Sequence, residues 1–365
     1  LRLDWQRSAR NAITVEGDAL RSVAARKDFR PMASAPFSLT NLEQEVTHAG
    51  HVLARWNRRL NMKSSWALQI YWDHVQRTGD HGFVDLRWDT LDLDFQQQFQ
   101  MTEGQTIVYG AGYRSIDAFL GPSTEDNGFA VSFPPPYRHL HLMSGFAQDQ
   151  ISLMEDTFSL TLGSKFEHND FTGFEYQPTG RLLWTPTGRQ AVWAAVSRAV
   201  RTPTLSEDGI GTRQIPSFPP AMGGAPLFGQ LTGSPDFRSE EVLAYELGYR
   251  AQITDTLAFD LAVFHNLYDK LRVVVPRGAT PGAVPGTFDL PLSFQNRMKG
   301  QTSGAEVAAT WQPTERWRLY GAYSFLDMQL RVDPGFPTSA EVAEAQSPRH
   351  QVYLHSSWKV LQPLE

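Results

Sequence analysis

The dominant pattern in the chain is a two-residue alternation of apolar and polar side chains. It is clearest in residues 239–275, SEEVLAYELGYRAQITDTLAFDLAVFHNLYDKLRVVV. Leu243, Tyr245, Leu247, Tyr249, Ala251 and Ile253 fall on one side, and Glu246, Gly248, Arg250 and Gln252 on the other. A period of two belongs to a strand, because successive side chains of extended backbone point to opposite faces. Thr254, Asp255 and Thr256 then reverse the chain, and Leu257, Phe259, Leu261 and Val263 resume the apolar side opposite Ala258, Asp260 and Ala262. The stretch therefore predicts a long hairpin with a tight turn, one face suited to hydrocarbon and the other to water.

The same alternation recurs along most of the chain. Strands are expected at residues 1–8, 13–25, 51–60, 65–76, 82–99, 105–117, 141–152, 157–167, 173–185 and 190–200, and beyond the hairpin at 293–311, 317–331 and 350–360, about fifteen in all with no convincing helix. Trp66, Leu68, Ile70 and Trp72 share a face, and six residues of strand separate the two tryptophans by roughly 20 Å, enough to reach both rims of an apolar band. In residues 82–99 the apolar parity changes between Trp88 and the set Leu91, Leu93 and Phe95, for which a bulge is expected. Connections alternate short and long. The long ones are residues 27–50 (with Pro31 and Pro36), 119–137, 202–238, 277–291 and 332–349, and a bend at 169–172 is a shorter member of that set. Such asymmetry is that of a transmembrane barrel, with short turns on one side of the membrane and longer loops on the other. A propeller would repeat about every 40 to 50 residues, and no such repeat is present.

Composition narrows the class. The chain has 365 residues, 41% apolar and 20% charged, with a mean hydropathy of −0.36. No run approaches the roughly 18 apolar residues of a spanning helix, which excludes a helical membrane protein but not a barrel. A net charge of −6 with dispersed arginines excludes a nucleic-acid surface. The lack of cysteine removes disulfide frameworks and thiolate chemistry and fits an oxidising compartment. Ten tryptophans suit interfacial belts.

Catalytic signatures are missing. HExxH, GxSxG and P-loop motifs do not occur, and Gly110 and Gly112 supply only a fragment of GxGxxG. Residues 123–128 lack the carboxylate spacing of a calcium loop and read as a turn. Glu240 and Glu241 are adjacent and so point to opposite faces, which is wrong for shared acid–base work. His139 and His141 share a face beside a proline-rich loop and read as polar rim residues. The chain is accordingly read as a non-enzyme that requires no cofactor and no metal ion.

Four stretches carry a family resemblance: SRAVRTPTLSE at residues 197–207, SEEVLAYELGYR at 239–250, GAEVAATWQPTERWRLYGAYSFLD at 304–327 and SPRHQVYLHSSWKV at 347–360. In this order they resemble the landmarks of the TonB-dependent outer-membrane receptor barrel, most clearly over residues 146–360. The resemblance implies an all-β, antiparallel, up-and-down transmembrane wall in the outer membrane of a Gram-negative bacterium. The implied function is uptake of a scarce nutrient, a ferric siderophore or similar metal complex, energised by a periplasmic TonB complex. Family barrels have 22 strands and an amino-terminal plug. Residues 1–365 are thus expected to be an incomplete wall of about fifteen strands, without plug, TonB box or closing strand, that does not transport unaided.

Lumen-facing candidates are Lys165, Glu167, Arg198, Glu246, Arg250, Glu306 and Arg318, whose simplest role is to line a wet wall. Arg201, Arg213, Phe218 and Phe228 are expected at the rim of the 202–238 loop, and Phe133, Tyr137 and Arg138 at that of the preceding long loop. Aromatic and arginine side chains suit an anionic, partly aromatic ligand. The turn at residues 254–256 is expected to face the periplasm. The alternative is a soluble all-β ligand- or carbohydrate-binding protein whose tryptophans pack between two sheets.

Overall fold

The computed structural model describes residues 1–31, 38–79, 85–122, 130–154, 157–217, 224–282 and 285–360. In chain order its first strands are β1 (Arg2–Ser8), β2 (Asn11–Pro31), β3 (Ser38–Asn61), β4 (Ser64–Gly79), β5 (Leu86–Thr102), β6 (Gln105–Leu120) and β7 (Ala130–Ser132). Next come β8 (Tyr137–Met154), β9 (Phe158–Asn169), β10 (Gly173–Thr187) and β11 (Gln190–Arg201), then the short helix α1 (Leu205–Gly209), β12 (Gly211–Ser217) and β13 (Leu227–Thr232). The chain continues through β14 (Glu240–Thr254), β15 (Leu257–Pro276), β16 (Thr280–Pro281), β17 (Phe288–Thr314), β18 (Trp317–Val332), a 3-10 segment (Thr338–Gln346) and β19 (His350–Trp358).

All nineteen strands among the described residues belong to one sheet. Apart from the short β7, β12, β13 and β16, each strand pairs antiparallel with its neighbours in sequence, from β1–β2 to β18–β19. The result is a fifteen-strand meander, the number expected from the alternation. Two-residue turns such as Asp255–Thr256 and Glu315–Arg316 close one end, and every long connection lies at the other.

Cross-strand register assigns the faces. Leu247 lies opposite Ala194 and Val263, and Tyr245 lies opposite Val196 and His265. The same face carries Ile70, Leu93, Leu162 and Val352, all exposed, and Leu247 itself is 50% exposed. A soluble sandwich would cover this face with a second sheet about 10 Å away. No second sheet exists among the described residues, so the tryptophans do not pack between layers. Among the described residues the one cluster of buried apolar side chains is small: Val273, Val275 and Met298 beneath Phe336 and Ala340. Aromatic rings flank the apolar face, with Trp56 and Trp66 edge-to-face at 4.7 Å and Trp317 and Trp358 at 5.5 Å near the short turns. Towards the long connections, Phe166 and Phe174 stack at 6.1 Å. These are the two belts of a membrane wall.

The opposite face is polar and self-paired. Directly facing residues join as Arg114 with Asp92 (2.7 Å), Arg55 with Gln69 (2.9 Å) and Arg250 with Asp260 (2.5 Å). This face also holds close aromatic–glycine pairs. Trp193 lies flat against Gly248, where a Cβ would come within 2.2 Å of the indole nitrogen. Phe264 covers Gly304 and Phe146 covers Gly110 in the same way. A ring over a strand glycine restores packing that the missing side chain cannot provide.

Four expectations are corrected. Residues 27–50 are mostly strand, since β2 runs to Pro31 and β3 starts at Ser38, with Lys27 opposite Leu42. Trp88 needs no bulge, because β5 keeps unbroken register with β4 and with β6 from Leu86 to Phe99. Trp88 stays on the polar face opposite Val75 and the buried Ala118, where the rim supplies packing. The long connections carry structure of their own: β7, α1, β12, β13, β16, the 3-10 segment and the first residues of β17 from Phe288. Finally, Arg198 faces Leu243 and shares the apolar side with Val196, whereas Arg201 points the other way. Arg198 is therefore not a lumen residue.

Replacing Leu247 with arginine is expected to destabilise the folded wall by about 2 to 4 kcal/mol in a bilayer. Arg250→Gln should cost under about 1 kcal/mol, because its partner is solvated. Gly248→Val should cost about 1 to 3 kcal/mol by driving the Trp193 ring off its strand. Urea titration in lipid vesicles ranks the three; equal costs for the first two would contradict the face assignment.

Candidate functional site

The long-connection end is built around one carboxylate. Thr204 caps α1: its hydroxyl accepts from the Glu207 N–H at 3.3 Å, and its own N–H donates to Glu207 Oε2 at 2.9 Å. This reciprocal box satisfies two helix-end donors. Arg201, the last residue of β11, grips Glu207 with both terminal nitrogens at 3.0 and 2.8 Å. Arg272 of β15 adds a third contact at 3.0 Å. The Glu207 side chain is 1% exposed. Arg201 Nε also reaches Glu240 at 2.5 Å, and Glu240 accepts the backbone N–H of Arg272 at 2.7 Å. One carboxyl thus ties the loop helix to β11 and β15, while Arg138 at the start of β8 donates to Asp208 on the helix's other side.

Burial alone would push the Glu207 carboxyl upward. The Arg201 hydrogen bonds, the Thr204 N–H and the charges of Arg201 and Arg272 outweigh it, and the group titrates below the usual glutamate range.

Beyond the clamp, short strands extend the same sheet along the rim. β12 pairs with β7 and β13, and β13 runs parallel to the upper part of β17, with Phe228 opposite Asp289. Asn296 sews the β13–β14 connection down: its Oδ1 accepts from Arg238 N at 2.8 Å, and its Nδ2 donates to the carbonyls of Arg238 (2.9 Å) and Lys270 (2.6 Å). Next to this stitch lies a cleft of about 750 Å³ bounded by the connection, the end of β15 and β17. The uncovered upper edge of β18 is closed by the 3-10 segment, whose Glu341 accepts from Val332 N at 2.8 Å and whose Glu344 accepts from Leu330 N. Charged capping of this kind protects a strand edge.

The residues singled out by sequence fall into three groups. Arg138 and Arg201 are at the rim but serve the clamp; Phe133 is half-buried there, and Tyr137 is exposed with its ring 4.6 Å from Phe119. Phe228 is at the rim yet only 7% exposed, so it packs among the short rim strands. Arg213 occupies a β12 position opposite Gln230 and Ala130. Phe218 lies outside the described residues. Glu246, Arg250, Lys165, Glu167 and Glu306 are on the polar face in the body of the wall, with Lys165 and Glu167 ion-paired at 2.5 Å. Arg198 lies over the Tyr176 ring at 4.5 Å and pairs with Glu241 at 2.9 Å, an anchor on the apolar side. His139 pairs with Asp117, and His141 bonds Tyr113 at 3.0 Å; no group of three metal-ligating side chains occurs among the described residues. Glu207 was missed by sequence reasoning, although its signal, Thr204 three residues ahead of it, is a capping-box pattern.

An open meander with an apolar outer face, two aromatic belts, a polar inner face and loops at one end defines a section of an outer-membrane β-barrel. The chain belongs to the TonB-dependent receptor-like β-barrel family, whose model matches residues 3–364. Its members are Gram-negative outer-membrane receptors and transporters, not enzymes. Over 220 residues the chain is 26% identical to an iron-regulated outer membrane virulence protein of Vibrio cholerae, covering 59% of this chain and 31% of that protein. Over 268 residues it is 25% identical to BfrD, a probable TonB-dependent receptor of Bordetella pertussis, covering 67% and 33%. The fold matches the siderophore receptor PirA of Pseudomonas aeruginosa with a TM-score of 0.67 at 16% identity, over 90% of this chain and 55% of that one. It also matches the FrpB iron transporter of Neisseria meningitidis with a TM-score of 0.67 at 12% identity, over 97% and 55%. The chain thus spans about a third of the length of these curated relatives and about half of these solved structures.

Glu207→Gln is expected to free the 202–238 connection for proteolysis, because two arginines then face a neutral group; the local cost is about 3 kcal/mol. The sign with pH follows from the lowered carboxyl. Its contribution is complete above the unfolded value of about 4.3 and is lost only as pH falls through the lower folded value. Limited proteolysis should therefore find the wild-type loop resistant from neutral pH to about pH 5 and cleavable only in stronger acid. A loop that opens near pH 6 would contradict the clamp.

Proposed function

We propose that this chain forms part of the wall and outer rim of an active-transport receptor for an iron complex, most simply a ferric siderophore, energised across the periplasm by a TonB partner. Residues 1–365 then form part of a single barrel domain, in which further strands meet the open edges of β1 and β19, because lipid leaves no strand edge unsatisfied. The observation that carries the reading is the rim itself. A short helix and the short rim strands are locked onto the wall by Glu207, Asn296 and Arg138, and they present arginine and aromatic side chains above a polar inner face. Relatives named for iron regulation and iron transport support the cargo class. The polar inner face, self-paired through Arg114–Asp92 and Arg250–Asp260, is suited to a hydrated path and not to tight binding. The membrane itself is the second partner, through the apolar face.

Growth of an iron-starved Gram-negative host tests the reading. Expression of the receptor should restore uptake of radiolabelled ferric chelate, and deletion of the host's TonB should abolish it. Uptake that persists without TonB, or receptor expression that responds to no iron chelate, would overturn the proposal.

A further inference from the structure

The short-turn end of the wall is uneven in charge. Residues 5–14 and 54–69, where β1 to β4 approach their short turns, hold Arg7, Arg10, Arg55, Arg58, Arg59 and Lys63 and no aspartate or glutamate. Arg7, Arg10, Arg58 and Lys63 are exposed and make no ion pair among the described residues. Elsewhere at this end a turn cation is neutralised across the wall, as Arg189 is by Asp255 at 2.7 Å. Cations gathered without a counter-ion repel one another, so a neutralising group from outside the chain is favoured.

Register shows from which side such a group approaches. Arg58 lies opposite Trp66, Trp66 opposite Gln97 and Gln97 opposite Tyr109, one row across β3 to β6. This row is lipid-facing, because Trp66 shares its side of β4 with Ile70. Trp56, on the same side of β3 as Arg58, packs edge-to-face on Trp66 in the aromatic belt. Arg58 thus emerges from the belt where headgroups meet hydrocarbon. Arg59, the next residue, faces Ser65 on the inner side.

Beside the row a shallow cleft of about 770 Å³ opens between the β3–β4 turn and the ends of β5 and β6. Met62 and Lys63 line it from the turn, and Phe99 and Tyr109 line it from the strands, with their rings edge-to-face at 6.3 Å. Its glutamines are engaged within the wall: Gln97 Nε2 donates to Ser64 at 3.3 Å and Gln100 Nε2 to the Glu103 carbonyl at 3.2 Å. The Lys63 ammonium is left as the free charge of the cleft, and Met62, 93% exposed, sets an apolar side chain next to it. Apolar surface adjoining unpaired cations, continuous with a face already in lipid, suits an acidic amphiphile.

We propose that this corner of the wall binds an acidic phospholipid from the leaflet at the short-turn end, with its phosphodiester on Arg58 and Lys63 and its acyl chain in the cleft. Guanidinium and ammonium groups pair well with phosphate oxygens. A zwitterionic headgroup brings its own cation to the same place and gains less. Arg7 and Arg10 draw anionic headgroups to this part of the leaflet. The inference adds a headgroup class to the contact between apolar face and lipid, and it does not depend on the cargo.

Native mass spectrometry of the full receptor in detergent, equilibrated with phosphatidylglycerol or phosphatidylcholine, tests the site. The wild type should retain phosphatidylglycerol in preference. Arg58→Gln and Lys63→Gln should each weaken that retention about fivefold, the contribution of one cation near an anionic headgroup, with phosphatidylcholine unchanged. Arg59→Gln removes the same charge one residue away on the inner side and should leave both lipids unaffected. Heat-modifiable migration on a gel checks that each variant is folded. Equal retention of the two lipids by the wild type, or wild-type phosphatidylglycerol affinity in both Arg58→Gln and Lys63→Gln, would overturn the proposal. So would an equal loss in Arg59→Gln. Displacement of phosphatidylglycerol by a polyglutamate peptide that needs Arg59 as much as Arg58 would assign the cluster to an acidic protein partner and overturn the lipid site.

Discussion

In hydrocarbon a backbone N–H or C=O has no water to turn to, so each must be paired within the protein. The meander from β1 to β19 is a direct solution to that constraint: every strand is hydrogen-bonded to the next in sequence, and side chains are left free to differ on the two faces. Because the strand period is two, a single register assigns every residue to lipid or to the inner face. Leu247 and Arg250, three positions apart on one strand, therefore experience opposite solvents. The scarcity of buried apolar residues follows from the same arrangement. A membrane wall has no core of its own, and its apolar side chains are buried by lipid.

Above the aromatic belts the constraint relaxes and different interactions take over. Water can satisfy loop backbone, so order at the rim depends on specific polar ties. Glu207 joins α1 to β11 and β15 through two arginines, Asn296 pins the β13–β14 connection to two strands, and Glu341 closes the free edge of β18. Each tie is anchored on a wall strand, so a rigid membrane sheet positions the loops at this end.

What could be read from sequence tracks this division. Between the belts lipid selects strongly, and the alternation of Trp66, Leu68, Ile70 and Trp72 or of Leu243 to Ile253 marked both the strands and their faces. Above the belts lipid no longer selects, so the upper halves of β2 and β3 looked irregular and Trp88 looked like a break in parity. Arg198 and Arg201 seemed equivalent by residue type, yet an odd spacing on a strand sends them to opposite sides. The Lys270 bulge left no trace, because positive φ is usually flagged by glycine and here a lysine takes it. The Thr204–Glu207 box went unread among loop residues, and its two arginine partners come from β11 and from β15, which is distant in sequence.

The central claim is that the apolar face of this wall meets lipid and the polar face meets water. The chain has no cysteine, so single cysteines can be placed at positions 243 to 253 of β14 one at a time and labelled with an environment-sensitive fluorophore in bilayers. The account predicts quenching by lipid-borne quenchers at 245, 247 and 249, and by water-soluble quenchers at 246, 248 and 250. A smooth profile without period two, or the two phases exchanged, would contradict it.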